Sequence, residues 1–542
     1  MTGGVRVSTA ADKKPEVFVR KASGLIRTAG TWDVLAYNIN FTSIGLLLLF
    51  IFLFGPAFYP GASLPWAAVI CVICLIPLAL VYGYLASAMP RSGGDYVYVS
   101  RVLGPALGMM SNWNMTMWWF FYGGVPSAFL ARYGLAPLFR TMGIYTGNST
   151  LTDIGNWFTT KAGTFILGTC LIVLLIVVFS LGTKTYFKIQ NILILFAVAS
   201  TVLTVVVFIG KVPADTIHAF NVHLREVSGK AIPSAYVAAS AKEAGYTGLA
   251  PTSLFWTLMV MTWIYLNLSF MSSSAYIGSE VKNARKLQLW SMPATLFIVG
   301  FGVLISTWVV DAAVGYNFLA QLGWADPTGL GLESTPVFTE LASYVANNIW
   351  LAFIILFGFI FWSYAWLPGQ ILNGSRNIFA YSLDGLLPSW FKKVNQKRFT
   401  PVNSLLTMGI ASIIALGIYV FTDLFSTLVG IFGFILSFIV ISIAAAVLPY
   451  RLKDVFETSA VNQRIAGVPV ITIIGILSVI SQGFMAWVFL RDPSAGLNGN
   501  PKMIWFNVIV FLSGLVVYYV AKFVQRSRGV DVDLSFKQVP EE

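Results

Sequence analysis

Apolar residues fall in long unbroken runs, not in the alternating or helical-period stripes of a half-buried element. Twelve runs can be placed, at about 33–57, 66–89, 107–135, 163–181, 188–210, 252–277, 290–313, 347–372, 402–421, 425–449, 467–490 and 502–522. Each approaches or exceeds the roughly 20 residues that a helix needs to cross a bilayer core. Only helices and closed barrels satisfy their backbone groups there. The expected fold is an all-α membrane protein with about twelve transmembrane helices. One transmembrane domain, 33–522, lies between an N-terminal tail, 1–32, and a C-terminal tail, 523–542.

Composition agrees with this pattern. Charged residues make up 10% of the chain, where a soluble domain carries about a quarter. Most of the surface is therefore expected to face lipid. The net charge of +12 does not suggest nucleic acid, because the basic residues sit in short connections. Starting from the N-terminus, alternate connections hold 25 Lys and Arg on the first side and 8 on the other, with Arg132 the remaining one of 34. That asymmetry predicts both termini on the cytoplasmic side. The first thirty residues are polar and basic and lack an apolar stretch, so they read as a cytoplasmic tail rather than a secretory signal. The two longest connections on the other side, 211–251 and 314–346, have room for short surface helices. Cys71 and Cys74 form a CxxC within an apolar run, where thiols usually pack rather than bind metal.

Two runs carry polar residues where a plain spanning helix would not. The first contains Asn38, Asn40, Thr42 and Ser43, and the sixth contains Asn267, Ser269, Ser272, Ser273 and Ser274. Both read Asn-x-(Asn/Ser)-Phe-x-Ser, as inverted repeats or a chance match would give. Such residues either join helices or contact a ligand at a helix break. Taken together, the two clusters favour ligand or ion contact.

The junction after the second run reads Met89-Pro90-Arg91-Ser92-Gly93-Gly94-Asp95-Tyr96-Val97-Tyr98-Val99-Ser100-Arg101, then Leu103-Gly104-Pro105. Ser279-Glu280-Val281-Lys282-Asn283 follows the sixth run, and Gly182-Thr183-Lys184 opens the fourth-to-fifth connection. After the eighth run come Arg376, Asp384-Gly385-Leu386-Leu387-Pro388, Phe391 and Thr400-Pro401-Val402. In this order, across about 24–450, the motifs closely resemble those of the amino acid–polyamine–organocation (APC) superfamily permeases. The resemblance implies a LeuT-like fold with five-plus-five inverted repeats, about 33–210 and 252–449, and two extra helices in 467–522. It implies secondary transport of amino acids by alternating access. The implied substrate contacts are Asn40, Thr42, Ser43, Ile44 and Gly45 in the first helix, and Asn267, Leu268, Ser269 and Phe270 in the sixth. Arg91, Arg101, Glu280 and Arg376 are implied in closing the cytoplasmic side, with Glu280 and Lys282 pairing to neighbouring loops.

The chain also departs from the family. Of the usual G-I-G-x-I-I-G-x-G-I-F of the first helix, one glycine survives, Gly45, shifted by a position. Asn40, Thr42 and Ser43 are then expected to supply side-chain donors in place of exposed backbone N–H groups. In the sixth helix Asn267-Leu268-Ser269-Phe270 replaces A-Y-x-G. Ser272 stands where some members have an acid, and Ala197 lies near the lysine that serves proton coupling in some relatives. Proton and sodium both stay open as coupling ions, Ser363 being the single pointer to sodium, and exchange without net ion movement is equally allowed. No cofactor or metal is implied, and oligomeric state is not assigned.

Asp33, Glu280 and Asp311 are the only carboxylates at or near the runs. Asp33 is expected to cap the first helix, and Asp311 is the candidate for an exposed titrating group. Trp113, Trp118, Trp119, Trp362, Tyr364 and Trp366 are expected to pack, with one or two walling a pocket. Without an intramembrane charge, a zwitterion with an uncharged side chain is the favoured substrate. An enzyme is disfavoured: His218 and His223 lie in a connection, and no carboxylate pair shares a run. A channel would need a filter or charged rings. An amino-acid sensor on the same fold and a transporter of another small amine remain the alternatives.

Overall fold

The computed structural model describes residues 24–422 and 429–536. It is all-helical apart from one two-residue hairpin, Arg464–Ile465 with Val468–Pro469. Eleven helices among the described residues are long and apolar enough to cross a membrane, including Thr31–Phe58, Leu254–Tyr276 and Ile349–Leu383. The expected third run is the one outside that count. It forms Pro105–Tyr122, Val125–Phe129, a π-helical turn at Leu130–Leu135 and Ala136–Thr146. This path is less apolar because Ser111, Asn112, Asn114 and Thr116 face the protein interior, all fully buried. It also continues beyond the expected end at 135, since nothing at Ala136 stops a helix.

Other boundaries move in similar ways. The eighth run turns at Tyr364–Ala365 and proceeds as Trp366–Leu383. The last helix, Pro501–Ser527, takes in the start of the expected C-terminal tail. Residues 1–23 of the expected N-terminal tail, 425–428 of the tenth run and 537–542 of the C-terminal tail lie outside the described residues. The connections 211–251 and 314–346 hold four short helices, Pro213–Ser228, Pro233–Glu243, Tyr316–Trp324 and Phe338–Ala346. Between these connections and the third span sits an ion pair that the sequence did not reveal. Arg140 meets Glu340 at 2.7 Å, both side chains buried.

The first and sixth spans are interrupted. Thr31–Thr42 and Ile44–Phe58 meet at Ser43, whose φ of +43° is in the left-handed region. Thr42 prepares the break, because its hydroxyl donates to the carbonyls of Asn38 (3.1 Å) and Ile39 (2.9 Å). Such back-bonding weakens the helical ladder. In the sixth span the α-helix Leu254–Leu268 makes its last four-residue bond from Ser269 to Tyr265 and gives way to three-residue turns, Phe270 to Asn267 and Met271 to Leu268, then a 3₁₀ turn at Ser273–Tyr276. The serine run suits these turns, since serine competes for backbone groups in non-helical conformations.

Candidate functional site

The two interruptions lie against each other. Ser274 N–H donates to Asn38 Oδ1 at 2.8 Å, and Asn38 Nδ2 donates to Ser274 Oγ at 3.1 Å. Gln288 secures the same segment through Ser274 Oγ (2.6 Å) and the Ser274 carbonyl (2.8 Å). Phe41 and Phe270 face across the junction with ring centroids 5.1 Å apart, and Phe434 packs edge-on to Phe270 at 5.1 Å. Asn38, Ser274 and Gln288 were absent from the expected contacts. The polar clusters of the two spans, which included Asn38 and Ser274, were the sequence signal for this joint; Gln288 had none.

The expected donors are mostly committed inside the protein. Ser43 Oγ donates to the Trp362 carbonyl at 3.2 Å and accepts the Leu46 N–H at 3.4 Å. Thr42 bonds its own helix, as above, and Asn40 Nδ2 makes a long bond to the Ala365 carbonyl, 3.5 Å. Asn267 links spans six and eight, accepting Trp366 Nε1 at 3.1 Å and donating to the Trp263 carbonyl at 3.3 Å. Ser269 differs from these: its hydroxyl is fully buried and has no hydrogen-bond partner. Ile44 and Gly45 open the second half of the first span, where the first helical N–H groups have no intrahelical acceptor. Leu268 and Phe270 flank the break in the sixth span. A helix N-terminus and a helix C-terminus thus meet at one level, which favours an anion beside one and a cation beside the other.

The end of the bundle rich in Lys and Arg is laced shut. Arg376 Nε lies 2.6 Å from Glu280 Oε1, and Thr183 Oγ1 donates to Glu280 Oε2 at 2.7 Å. Glu280 therefore pairs with Arg376 of Trp366–Leu383 and, as expected, with a neighbouring loop through Thr183. Its carbonyl accepts the N–H groups of Thr28 and Ala29, both at 2.9 Å, tying down the segment before the first span. Arg101 forks onto Asp384 at 2.9 and 3.1 Å, Tyr96 adds a third bond at 2.9 Å, and Phe536 covers the guanidinium at 4.7 Å. Ser92 and Ser279 share a hydroxyl–hydroxyl bond. Arg91 lines a cleft of about 570 Å³ with Arg27, Arg285 and Lys286. The two glycines of the motif are explained here. Gly93 and Gly94 have φ of +91° and +48°, and a Cβ on Gly94 would come within 2.8 Å of the Tyr276 ring.

Asp33 caps the first helix as expected, accepting Gly30 N–H at 2.8 Å and Asn191 Nδ2 at 2.6 Å. Asp311 is half-buried rather than exposed, because the last turns of its helix pack against neighbours. Trp118, Trp119 and Trp362 are buried packing residues, and Trp366 touches the joint through Asn267. Cys71 and Cys74 are free thiols in the second span. At the opposite end Asp492 accepts from Tyr59 (2.8 Å) and Thr262 (2.7 Å), and burial raises its carboxyl above the ordinary range.

The amino acid permease family profile matches residues 30–515. The branched-chain amino acid permease BcaP of Lactococcus lactis is 26% identical over 450 residues, 82% of this chain and 83% of its own length. The BcaP of Bacillus subtilis is 24% identical over 511 residues, 90% of this chain and 92% of its own. The methylthioribose transporter of Bacillus subtilis is 24% identical over 506 residues, 92% of this chain and 94% of its own.

Proposed function

The chain belongs to the amino acid permease family, and from that premise we propose that it is a secondary transporter of amino acids with uncharged side chains, working by alternating access. Substrate lies between the interrupted first and sixth spans, and both termini face the cytoplasm. The observation that carries the reading is the break at Ser43 beside the broken sixth span. The N–H groups of Ile44 and Gly45 hold the carboxylate, and the C-terminal end of Leu254–Leu268 receives the amino group. Phe41, Phe270 and Phe434 supply an apolar wall. An apolar or branched side chain fits such surroundings better than a charged one. Arg376–Glu280 and Arg101–Asp384 hold the cytoplasmic side closed while substrate enters from outside.

Counterflow in proteoliposomes tests this without any ion gradient. Each labelled amino acid is offered against its own unlabelled internal pool. Saturable uptake of one or a few uncharged amino acids is expected. Flat traces for all twenty from folded protein would reject the reading. Uptake of methylthioribose instead would give the chain the substrate named for its Bacillus subtilis relative.

Ser269→Ala is the sharper probe of the site. A hydrogen bond to a charged group contributes about 1.5–3 kcal/mol, so its loss should raise the half-saturating concentration by roughly tenfold to a hundredfold. Thermal stability should hold or rise, because the variant removes a buried hydroxyl that the folded protein leaves unpartnered. An unchanged half-saturating concentration would take Ser269 out of the site.

A further inference from the structure

Asp95 is a fully buried carboxyl at the start of the short helix Asp95–Val102, between the second and third spans. Arg101 on its own helix and Arg376 on the eighth span are already matched, with Asp384 and Glu280 respectively. Among the described residues, the other ionisable groups that act on it are tyrosines: Tyr276 from the broken sixth span, Tyr82 from the second and Tyr381 from the eighth. Pro105–Tyr122 brings no charge. Val429–Arg451, also packed on this helix, carries Tyr450 and Arg451, exposed at its far end.

One Asp95 oxygen accepts Asn112 Nδ2 at 2.6 Å. The carboxyl also faces the Tyr276 hydroxyl, close enough to hydrogen-bond, and Tyr276 in turn faces the Tyr82 hydroxyl. A protonated carboxyl could donate into this group, whereas an ionised one is a buried charge without a counter-ion, which is costly. Burial pushes the Asp95 carboxyl up to about 7, so it titrates across the ordinary working range.

The surroundings of Asp95 are tied to the parts expected to move. Gly93 N–H donates to the Tyr276 carbonyl at 3.1 Å, and Gly94 abuts the Tyr276 ring. On the other side Asn112 accepts from Tyr381, which meets Thr116 at 2.9 Å, and Asn377 donates to Thr116 at 2.9 Å. A shift of the sixth or eighth span against the third therefore changes what the carboxyl sees.

We propose that Asp95 is a proton-binding site, occupied and emptied as the sixth span moves through its contact at Tyr276, so that a proton is carried with the substrate. The proposal rests on the transport reading above. While the cytoplasmic end is closed the carboxylate takes up one proton that has entered from outer water past the joint of the first and sixth spans, and after the bundle opens inward it releases that proton to cytoplasmic water. One positive charge crosses per cycle and no other bond changes.

The test compares wild type with Asp95→Asn, which keeps the shape and the neutral state. Two measurements are made. In proteoliposomes, labelled L-leucine is followed in counterflow and under an inside-alkaline pH gradient. Wild type should accumulate leucine under the gradient. Asp95→Asn should retain counterflow while its inside-to-outside ratio under the gradient falls to one. The second measurement needs no substrate. An Asp raised in the folded state holds an extra proton there, so its stability is fully present below the unfolded carboxyl's value and lost as pH rises through about 7. The melting temperature of wild type should fall between pH 6 and pH 8, and that fall should vanish in Asp95→Asn. Gradient-driven accumulation by Asp95→Asn, or a melting profile identical to wild type, overturns the proposal. If the variant loses counterflow as well, the melting profile decides. Absent counterflow in wild type counts against the transport reading, and the melting profile still tests the proton site.

Discussion

Arg376→Ala destabilises the folded protein by about 3–5 kcal/mol, measured by SDS-titrated unfolding in mixed micelles. Both partners of the Arg376–Glu280 pair are buried, with side-chain exposures of 0% and 1%. Removing the guanidinium leaves the Glu280 carboxylate with the Thr183 hydroxyl alone, and one neutral donor does not offset a desolvated charge. The loss also spreads, because the Glu280 backbone holds Thr28 and Ala29. Glu280→Gln alone should cost a comparable amount, since it strands the guanidinium. The double variant Arg376→Met with Glu280→Gln should recover much of the loss, because neutral groups of similar volume need no compensation. A double variant as unstable as the sum of the singles would mean that the two residues act independently. On the proposed alternating-access cycle transport should fall in the singles, because this end must close.

What the sequence revealed depended on range. Length and apolarity are local properties, so the spans were legible to within a few residues at most ends. The breaks were legible too, because Asn38–Ser43 and Asn267–Ser274 put polar side chains where lipid or core tolerates few. Other features depend on residues that meet only in the fold. Arg101 meets Asp384 across 283 positions, and Arg140 meets Glu340 across 200, so no local pattern announces either pair. The donor roles expected for Thr42 and Ser43 gave way for a related reason. Their hydroxyls have backbone acceptors within reach, and a sequence cannot say which acceptor a helix break exposes. Asp95 lay in plain view within its motif. Its lack of a cation became visible only once Arg101 and Arg376 were seen engaged elsewhere. The π-helical turn in the third span left no trace in the pattern, since a single extra residue barely disturbs apolar periodicity.

Gly45 gives the second large expected effect, and it separates two roles for one residue. By resemblance it is a surviving glycine of the substrate loop. In the fold, a Cβ at Gly45 would stand 2.4–2.5 Å from three atoms of Trp362. Trp362 cannot easily retreat. It is fully buried, and its indole N–H donates to the Ala197 carbonyl at 2.7 Å and to Thr201 at 3.0 Å. Ser43 holds the Trp362 carbonyl from the other side at 3.2 Å. Glycine therefore lets the first span approach the eighth at its break. Gly45→Ala should destabilise by about 1–3 kcal/mol through overpacking, and Gly45→Val by more. Either variant should slow counterflow sharply, because displacing the first span moves the Ile44 and Gly45 N–H groups. Adding Trp362→Leu should restore part of the stability lost by Gly45→Ala, as it opens the space that the new methyl needs. Recovery of stability together with leucine uptake would assign Gly45 to packing. Recovery of stability while the half-saturating concentration stays high would instead leave the Gly45 backbone in contact with substrate, beyond its part in bringing the two spans together.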